Sequence, residues 1–386
     1  MLTCQKLSFS LPDDEHYLNC AYMSPLSTAV EAAGVAGVAR KRMPSRLSTS
    51  DFFTEAARAR ELFARLVNAP DPSRIAIIPA ASYGLAIAAR NLPVAAGQNI
   101  VVTHEQFPAN VHAWRKLAGA AGGAELRTVH PPDGANGRGR EWNSRLLEAI
   151  DAHTAIVALG HVHWTDGTKF DLEAVGRRAR EVGAALVVDG TQSVGALPFD
   201  VAAIQPDALV CATYKWLMGP YSLGFAFLGP RFDGGEPLEE TWIGRAGSEN
   251  FKDLVNYRDD YQPGAVRYDV GERTNFALMP MAIAALEQVL EWQPARIQNY
   301  CAALTGDLMA RVGALGYHVE DTAYRGAHLF GLRAPASADI TAIGERLREQ
   351  KVHVSLRGSA IRVSPHVYND RRDIDALVAA LSAPGV

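Results

Sequence analysis

Ala184-Ala-Leu-Val-Val-Asp189-Gly-Thr-Gln192-Ser-Val-Gly195 and, further along, Ala208-Leu-Val-Cys-Ala-Thr213-Tyr214-Lys215-Trp-Leu-Met-Gly219-Pro220 decide how this chain is read. Each begins with an unbroken apolar run, the pattern of a short strand buried on both faces. Each then breaks into a turn holding one ionisable residue, an acid in the first and a lysine in the second. Taken singly, Asp at a strand end is a cap and Lys in a loop is a solvated charge. In this order, with Gln192 between the acid and the second strand, they suit pyridoxal phosphate (PLP). The lysine amine forms the Schiff base, and the carboxylate keeps the pyridine nitrogen protonated so that the ring accepts electrons.

Outward from these stretches the same alternation continues. Ile75-Ala-Ile-Ile78, Ile100-Val-Val-Thr103 and Ala155-Ile-Val-Ala158 are further short apolar runs. Helical patterns separate them, over Ser82 to Arg90, Val111 to Ala121, Asn143 to His153 and Asp171 to Val182. This predicts an α/β fold, a mostly parallel sheet covered by helices on both faces. Ligands in such sheets bind at the carboxyl ends of the strands. Ser82, Phe107, His161, Asp189 and Lys215 all follow a strand. Residues 231–274, rich in Gly, charge and aromatics, read as a long irregular excursion, the kind of loop that is functional or part of an interface. A long helix over Met279 to Trp292 and a small α+β region complete the chain.

The bulk properties are those of an ordinary globular protein: 386 residues, 48% hydrophobic and 21% charged,. A formal net charge of −4 without clustered Lys or Arg gives no reason to expect nucleic acid,. Four cysteines, Cys4, Cys20, Cys211 and Cys301, lack metal-ligand spacing and build no disulfide framework,. A reducing cytoplasm is the expected compartment. The start of the chain lacks the pattern of a signal peptide, and no apolar window is long enough for a membrane helix.

Three further stretches carry chemistry. Pro79-Ala-Ala81-Ser82-Tyr-Gly-Leu85 turns from strand into helix; a helix N-terminus presents free N–H groups to a phosphate, although a serine there is equally a simple N-cap. His161-Val-His163-Trp164 places two histidines at alternating positions, but without a third ligand nearby it makes no metal site. Arg362, in Ser359-Ala-Ile-Arg-Val-Ser-Pro-His366, lies on an apolar strand, where a guanidinium needs a carboxylate, either a buried acid or a ligand.

The chain resembles fold-type I PLP enzymes of the class V aminotransferase family, a group that includes cysteine desulfurases, isopenicillin N epimerase-like proteins and kynureninases. The resemblance runs from Tyr17-Leu-Asn19-Cys-Ala21-Tyr-Met-Ser-Pro25 to Ile361-Arg-Val-Ser-Pro-His-Val-Tyr-Asn369. It implies a large PLP-binding domain over 26–275. An N-terminal segment, 1–25, would join a small domain, and 276–386 would hold an interdomain helix and that small α+β domain. It implies that Ala81 (through its main chain), Ser82 and Tyr214 hold the phosphate, that Thr213 flanks the lysine within the cofactor site, and that Gln192 donates to the phenolic oxygen. Phe107, in a Phe-Pro pair, would stack on the ring. Thr274, in Gly271-Glu-Arg-Thr-Asn275, would reach the phosphate from a second subunit, which makes the protein a homodimer. Arg362 would hold the substrate α-carboxylate, with Asn19, Ala21 and His163 (or its neighbour Trp164) near the substrate.

These parts imply an enzyme acting on a small or medium α-amino acid, with Lys215 removing the α-proton as a neutral amine. A class V aminotransferase is the leading reading. The alternatives are a lyase, by C–S β-elimination or kynureninase-like chemistry, or an epimerase. A thiol-dependent desulfurase needs a mobile cysteine before the arginine, and no cysteine follows Cys301. Gln192 in place of a histidine weakens the kynureninase reading. A non-catalytic binder would have lost the lysine, the acid or the arginine, and all three are present. A nucleotide-binding α/β protein would show a glycine-rich phosphate loop in strand–helix context, which is absent.

Overall fold

The computed structural model describes residues 2–134, 136–357 and 360–382, so Ser359, at the head of the arginine motif, lies outside them. Seven strands build the main sheet: β1 (Ile75–Ile78), β2 (Asn99–Thr103), β3 (Glu125–Val129), β4 (Thr154–Gly160), β5 (Ala185–Asp189), β6 (Ala208–Ala212) and β7 (Gly224–Leu228). Their order across the sheet is β1-β7-β6-β5-β4-β2-β3. β2 to β6 run parallel, and β7 runs antiparallel to both its neighbours.

Alternate residues of the central strands feed two separate cores. Ile77, Val101, Val157, Leu186, Val188 and Leu209 enter one. Ile78, Val102, Ile156, Val187 and Val210 enter the other. Because side chains alternate faces, only a strand that is apolar at every position can fill both layers. Each such aliphatic side chain contributes about 1.5–3 kcal/mol on full burial. The helices α3 (Ala81–Asn91) and α4 (Ala109–Ala120) cover one face. On the other lie α1 (Thr28–Arg40), α2 (Thr54–Leu66), α5 (Arg138–Ala149), α6 (Leu172–Val182) and α7 (Leu278–Trp292). The long helix expected between the two regions, α7, buries Met279, Leu286, Val289 and Trp292 in the large core.

A third core belongs to the C-terminal region. Its sheet consists of β8 (Phe330–Arg333), β9 (Ser355–Arg357) and β10 (Ala360–Val363), antiparallel in the order β9-β10-β8. The helices α8 (Ile340–Glu349) and α9 (Arg371–Ser382) pack on it through Ile343, Leu347, Ile374 and Leu377. Leu18 is buried in the same cluster, and His16–Tyr17 pairs with Val352–His353, so the N-terminal segment is sewn to this region. Residues 231–274 hold short 3₁₀ turns, with no α-helix or strand among the described residues. No described helix is long and apolar enough to cross a membrane.

Candidate active site

A cavity opens at the carboxyl ends of the parallel strands, where Gly160 of β4, Asp189 of β5 and Ala212 of β6 meet. Its wall also holds Lys215, three residues past β6. One backbone contact fixes the two turns against each other. Gly195, at φ +105°, approaches so closely that a Cβ there would lie 2.3 Å from the Trp216 carbonyl oxygen. Within the lysine turn, Met218 and Ser222 are held at φ 57° and 66°. Left-handed non-glycine residues of this kind persist where surrounding structure dictates them, often at functional sites.

Lys215 and Asp189 are each pushed toward the neutral form. Burial lowers the Lys215 amine to about 8, with Asp189 opposing that shift and Arg362 reinforcing it. Burial raises the Asp189 carboxyl, against its hydrogen bond from the Thr191 amide at 2.9 Å and the charge of Lys215. No ion pair joins the two among the described residues. A buried carboxylate with spare acceptor capacity favours a cationic N–H donor placed between it and the lysine.

The opposite wall is the start of α3. Ala80 is its N-cap and supplies no side-chain cap, so Ser82 stands inside the first turn rather than capping it. The amides of Ala81 and Ser82 therefore face the cavity without an intrahelical partner, beside the Ser82 hydroxyl,. Gly84 allows this placement. A Cβ at that position would come within 2.6 Å of Val210 Cγ1 on β6, so glycine lets the helix lie directly on the sheet. The Phe107 ring, 41% exposed, forms a further wall, 5.6 Å from Lys215 Nζ. The Tyr214 ring lies 5.4 Å from the same nitrogen.

Arg362 lines an adjoining space together with Ala21, Lys215 and Trp164. It donates to the Trp164 carbonyl at 2.7 Å and to Ser355 Oγ at 3.1 Å, and approaches Asn19 Oδ1 at 3.5 Å. Its Nε is buried without a partner, and it forms no ion pair with a described carboxylate. Burial, and next the charge of Arg357, lower its pKa to about 10. The buried-acid alternative is thus not realised among the described residues. Hydrogen bonds to neutral oxygens return about 1.5–3 kcal/mol each, whereas removing an unpaired charge from water costs several kcal/mol. An incoming carboxylate would supply the missing counter-charge.

The candidates predicted from sequence do not all reach this space. Gln192 does, held by bonds to the Ala21 carbonyl at 3.1 Å and from Trp216 at 3.0 Å. His163 is turned away from the cavity: its ring nitrogens contact the His104 carbonyl at 2.9 Å and Thr165 Oγ1 at 2.8 Å, and it packs on Trp142. Strand parity explains this, because Gly160, Val162 and Trp164 face the cavity while the intervening histidines face away,. Trp164 is therefore the wall residue of the pair. Thr213 does not line the cavity either, as its hydroxyl is directed to the Pro220 and Leu223 carbonyls. Thr274 Oγ1 donates to the Phe52 carbonyl at 2.7 Å, away from this chain's cavity. Sequence reading missed Thr191, Gln106, Tyr221 and Arg357, wall residues with no motif of their own. Among the described residues, no cluster of three or more His, Cys, Asp or Glu could hold a metal.

The orphan amides of α3, the exposed ring of Phe107, the Asp189 carboxyl, held only by Thr191 among the described residues, and the amine of Lys215 match the parts of PLP in turn. Phosphate, ring face, pyridine nitrogen and aldehyde each meet a suitable group. Fold and site together define a PLP enzyme of the α/β, parallel-sheet type. The chain belongs to the aminotransferase class V family, whose model matches residues 38–377. It is 26% identical to an uncharacterised aminotransferase, YcbU, of Bacillus subtilis, over 84% of this chain and 82% of that one. It is 25% identical to isopenicillin N epimerase of Streptomyces clavuligerus, over 84% and 83%. The fold is shared with the cystine C–S lyase C-DES, solved in complex with its product cysteine persulfide. That likeness has a TM-score of 0.82 at 21% identity, covering 96% of this chain and 97% of the other.

Proposed function

We propose that this PLP-dependent enzyme transfers the amino group of an α-amino acid bound through its carboxylate to Arg362. The observation that carries this reading is a buried guanidinium, lacking any described acid partner, in the same space as the Lys215 amine. An α-amino acid brings to that space the carboxylate that Arg362 lacks and an α-proton for Lys215. When bound, PLP supplies an electron sink for the charge left at the α-carbon. Lys215, lowered toward neutrality by burial, takes that proton and returns it,. Asp189 holds the counter-charge for the ring nitrogen, and the Ala81 and Ser82 amides with the Ser82 hydroxyl and Tyr214 form the phosphate end.

A thiol relay is disfavoured. Cys20, Cys211 and Cys301 are buried with their thiols pushed up by burial, and Cys4 is exposed on the N-terminal segment. Unpaired cysteines support a reducing, cytoplasmic setting,. A homodimer is supported by the excursion over 231–274, which leaves Val255 and Tyr257 78% and 95% exposed beside Phe251 and Leu254,. Thr274 would reach the partner's site from there.

The test incubates the holoenzyme with a panel of amino acids, with and without a keto-acid acceptor. Transamination predicts one equivalent of keto acid per site without acceptor and sustained turnover with it. Keto acid released continuously with ammonia would make the enzyme a lyase, and loss of optical activity alone an epimerase. Lys215→Ala should abolish all turnover.

A further inference from the structure

We propose that the substrate carries a second anionic group on its side chain and that Arg357 receives it. The inference rests on the amino-acid reading above and narrows its substrate class to acidic amino acids.

The geometry of the small sheet brings two guanidiniums to one face. In the β9–β10 pair Ser355 lies opposite Arg362 and Arg357 opposite Ala360. Directly opposed residues share a face, as do residues two apart along a strand, so Arg357 and Arg362 are diagonal neighbours on one side. Both line the space that contains Lys215. The Arg357 guanidinium lies 5.3 Å from the centroid of the Trp164 ring, so the tryptophan that accepts from Arg362 through its carbonyl also supports Arg357 through its ring.

Among the described residues, neither arginine has an acid partner. Arg357 donates to the Leu356 carbonyl at 2.9 Å, its Nε is buried without a partner, and it forms no ion pair with a described residue. The adjoining cavity holds two acids, Glu105 and Asp166. Asp166 is already engaged by Arg138 and Arg333. Glu105 forms no ion pair with Arg357. The two guanidiniums repel each other, and Arg357 depresses the pKa of Arg362. One α-carboxylate satisfies one of them. A substrate with a second carboxylate places an anion on each and leaves its ammonium group toward Lys215.

The experiment compares kcat/KM of the holoenzyme for L-aspartate and L-glutamate with that for L-asparagine and L-glutamine. A charged partner for Arg357 predicts that one acid exceeds its own amide by about 10- to 100-fold, mainly through KM. Arg357→Gln, which keeps polarity but removes charge, should collapse that ratio toward one. A second measurement needs no variant: glutarate should inhibit the wild-type enzyme at least about tenfold more tightly than pentanoate. An acid-to-amide ratio near one with equal inhibition by the two would overturn the inference and leave the amino-acid reading standing. So would a preference that survives in Arg357→Gln. Failure of every amino acid to react would instead overturn the amino-acid reading, and this inference with it.

Discussion

Gly195 and Trp216 touch through their backbones: the glycine that ends the Asp189 turn lies against the carbonyl of the residue following Lys215. The two ionisable groups of the site are thereby placed by a contact that tolerates no side chain. Gly195→Ala adds a Cβ 2.3 Å from that carbonyl oxygen and forces alanine to φ +105°. Overpacking and left-handed strain each cost about 1–3 kcal/mol. The variant should unfold at least about 2 kcal/mol more easily in urea and lose activity even where it remains folded. Wild-type activity in a folded Gly195→Ala would show that the two turns are positioned independently.

The α3 terminus predicts a graded response to substitution at Ser82. Ser82→Ala removes one hydroxyl but leaves the two backbone amides, so affinity for PLP should fall only about tenfold or less. Ser82→Asp puts an anion where the phosphate is expected and should weaken binding far more. Titration of the cofactor-free protein, followed by absorbance, measures both. Equal affinities for the Ala and Asp variants would place the phosphate elsewhere.

Much of this site is legible in the chain because its main elements are local. The apolar runs ending in Asp189 and before Lys215 must be central strands, since each position feeds one of two cores. Two strands escape that logic. Glu125-Leu-Arg-Thr-Val129 is an edge strand whose charged, part-exposed positions discourage further pairing, so it carries no apolar run,. Gly224-Phe-Ala-Phe-Leu228 is fully buried but follows the lysine turn so closely that it reads as part of it. The facing of His163 depends on where β4 ends, and a shift of one residue exchanges the two sides of the segment. Arg357 becomes visible only when β9 pairs with β10, because no local signal sets a solvated arginine apart from one that lines a cavity.

His163 and Trp164 should therefore separate cleanly by kinetics. His163→Gln disturbs a buried pair of hydrogen bonds and should lower stability by about 1–3 kcal/mol, with KM for the amino acid little changed,. Trp164→Leu removes a wall of the substrate space and the support beneath Arg357, so KM should rise about tenfold or more,. Thermal denaturation and steady-state kinetics on the two variants decide between these roles. A large KM effect from His163 with none from Trp164 would reverse the assignment.

The buried amine of Lys215 makes the stability of the cofactor-free protein depend on pH in a definite direction. Its folded pKa, about 8, lies below the ordinary lysine value of 10.5 that serves for the unfolded chain. Between those values the unfolded chain holds a proton that the folded protein has released, so stability rises with pH across that window. Below about 8 both states are protonated and the folded protein bears the full penalty of a buried charge. Lys215→Met removes the penalty. The cofactor-free variant should exceed the wild type in stability by a few kcal/mol at pH 7, at roughly 1.4 kcal/mol per unit of pKa shift. The advantage should shrink steadily above pH 8 and be gone near the unfolded value. Urea unfolding at a series of pH values gives the curve, and the rate of PLP capture by wild type should rise over the same rise in neutral amine. A difference independent of pH would mean that Lys215 is not held near neutrality in the fold.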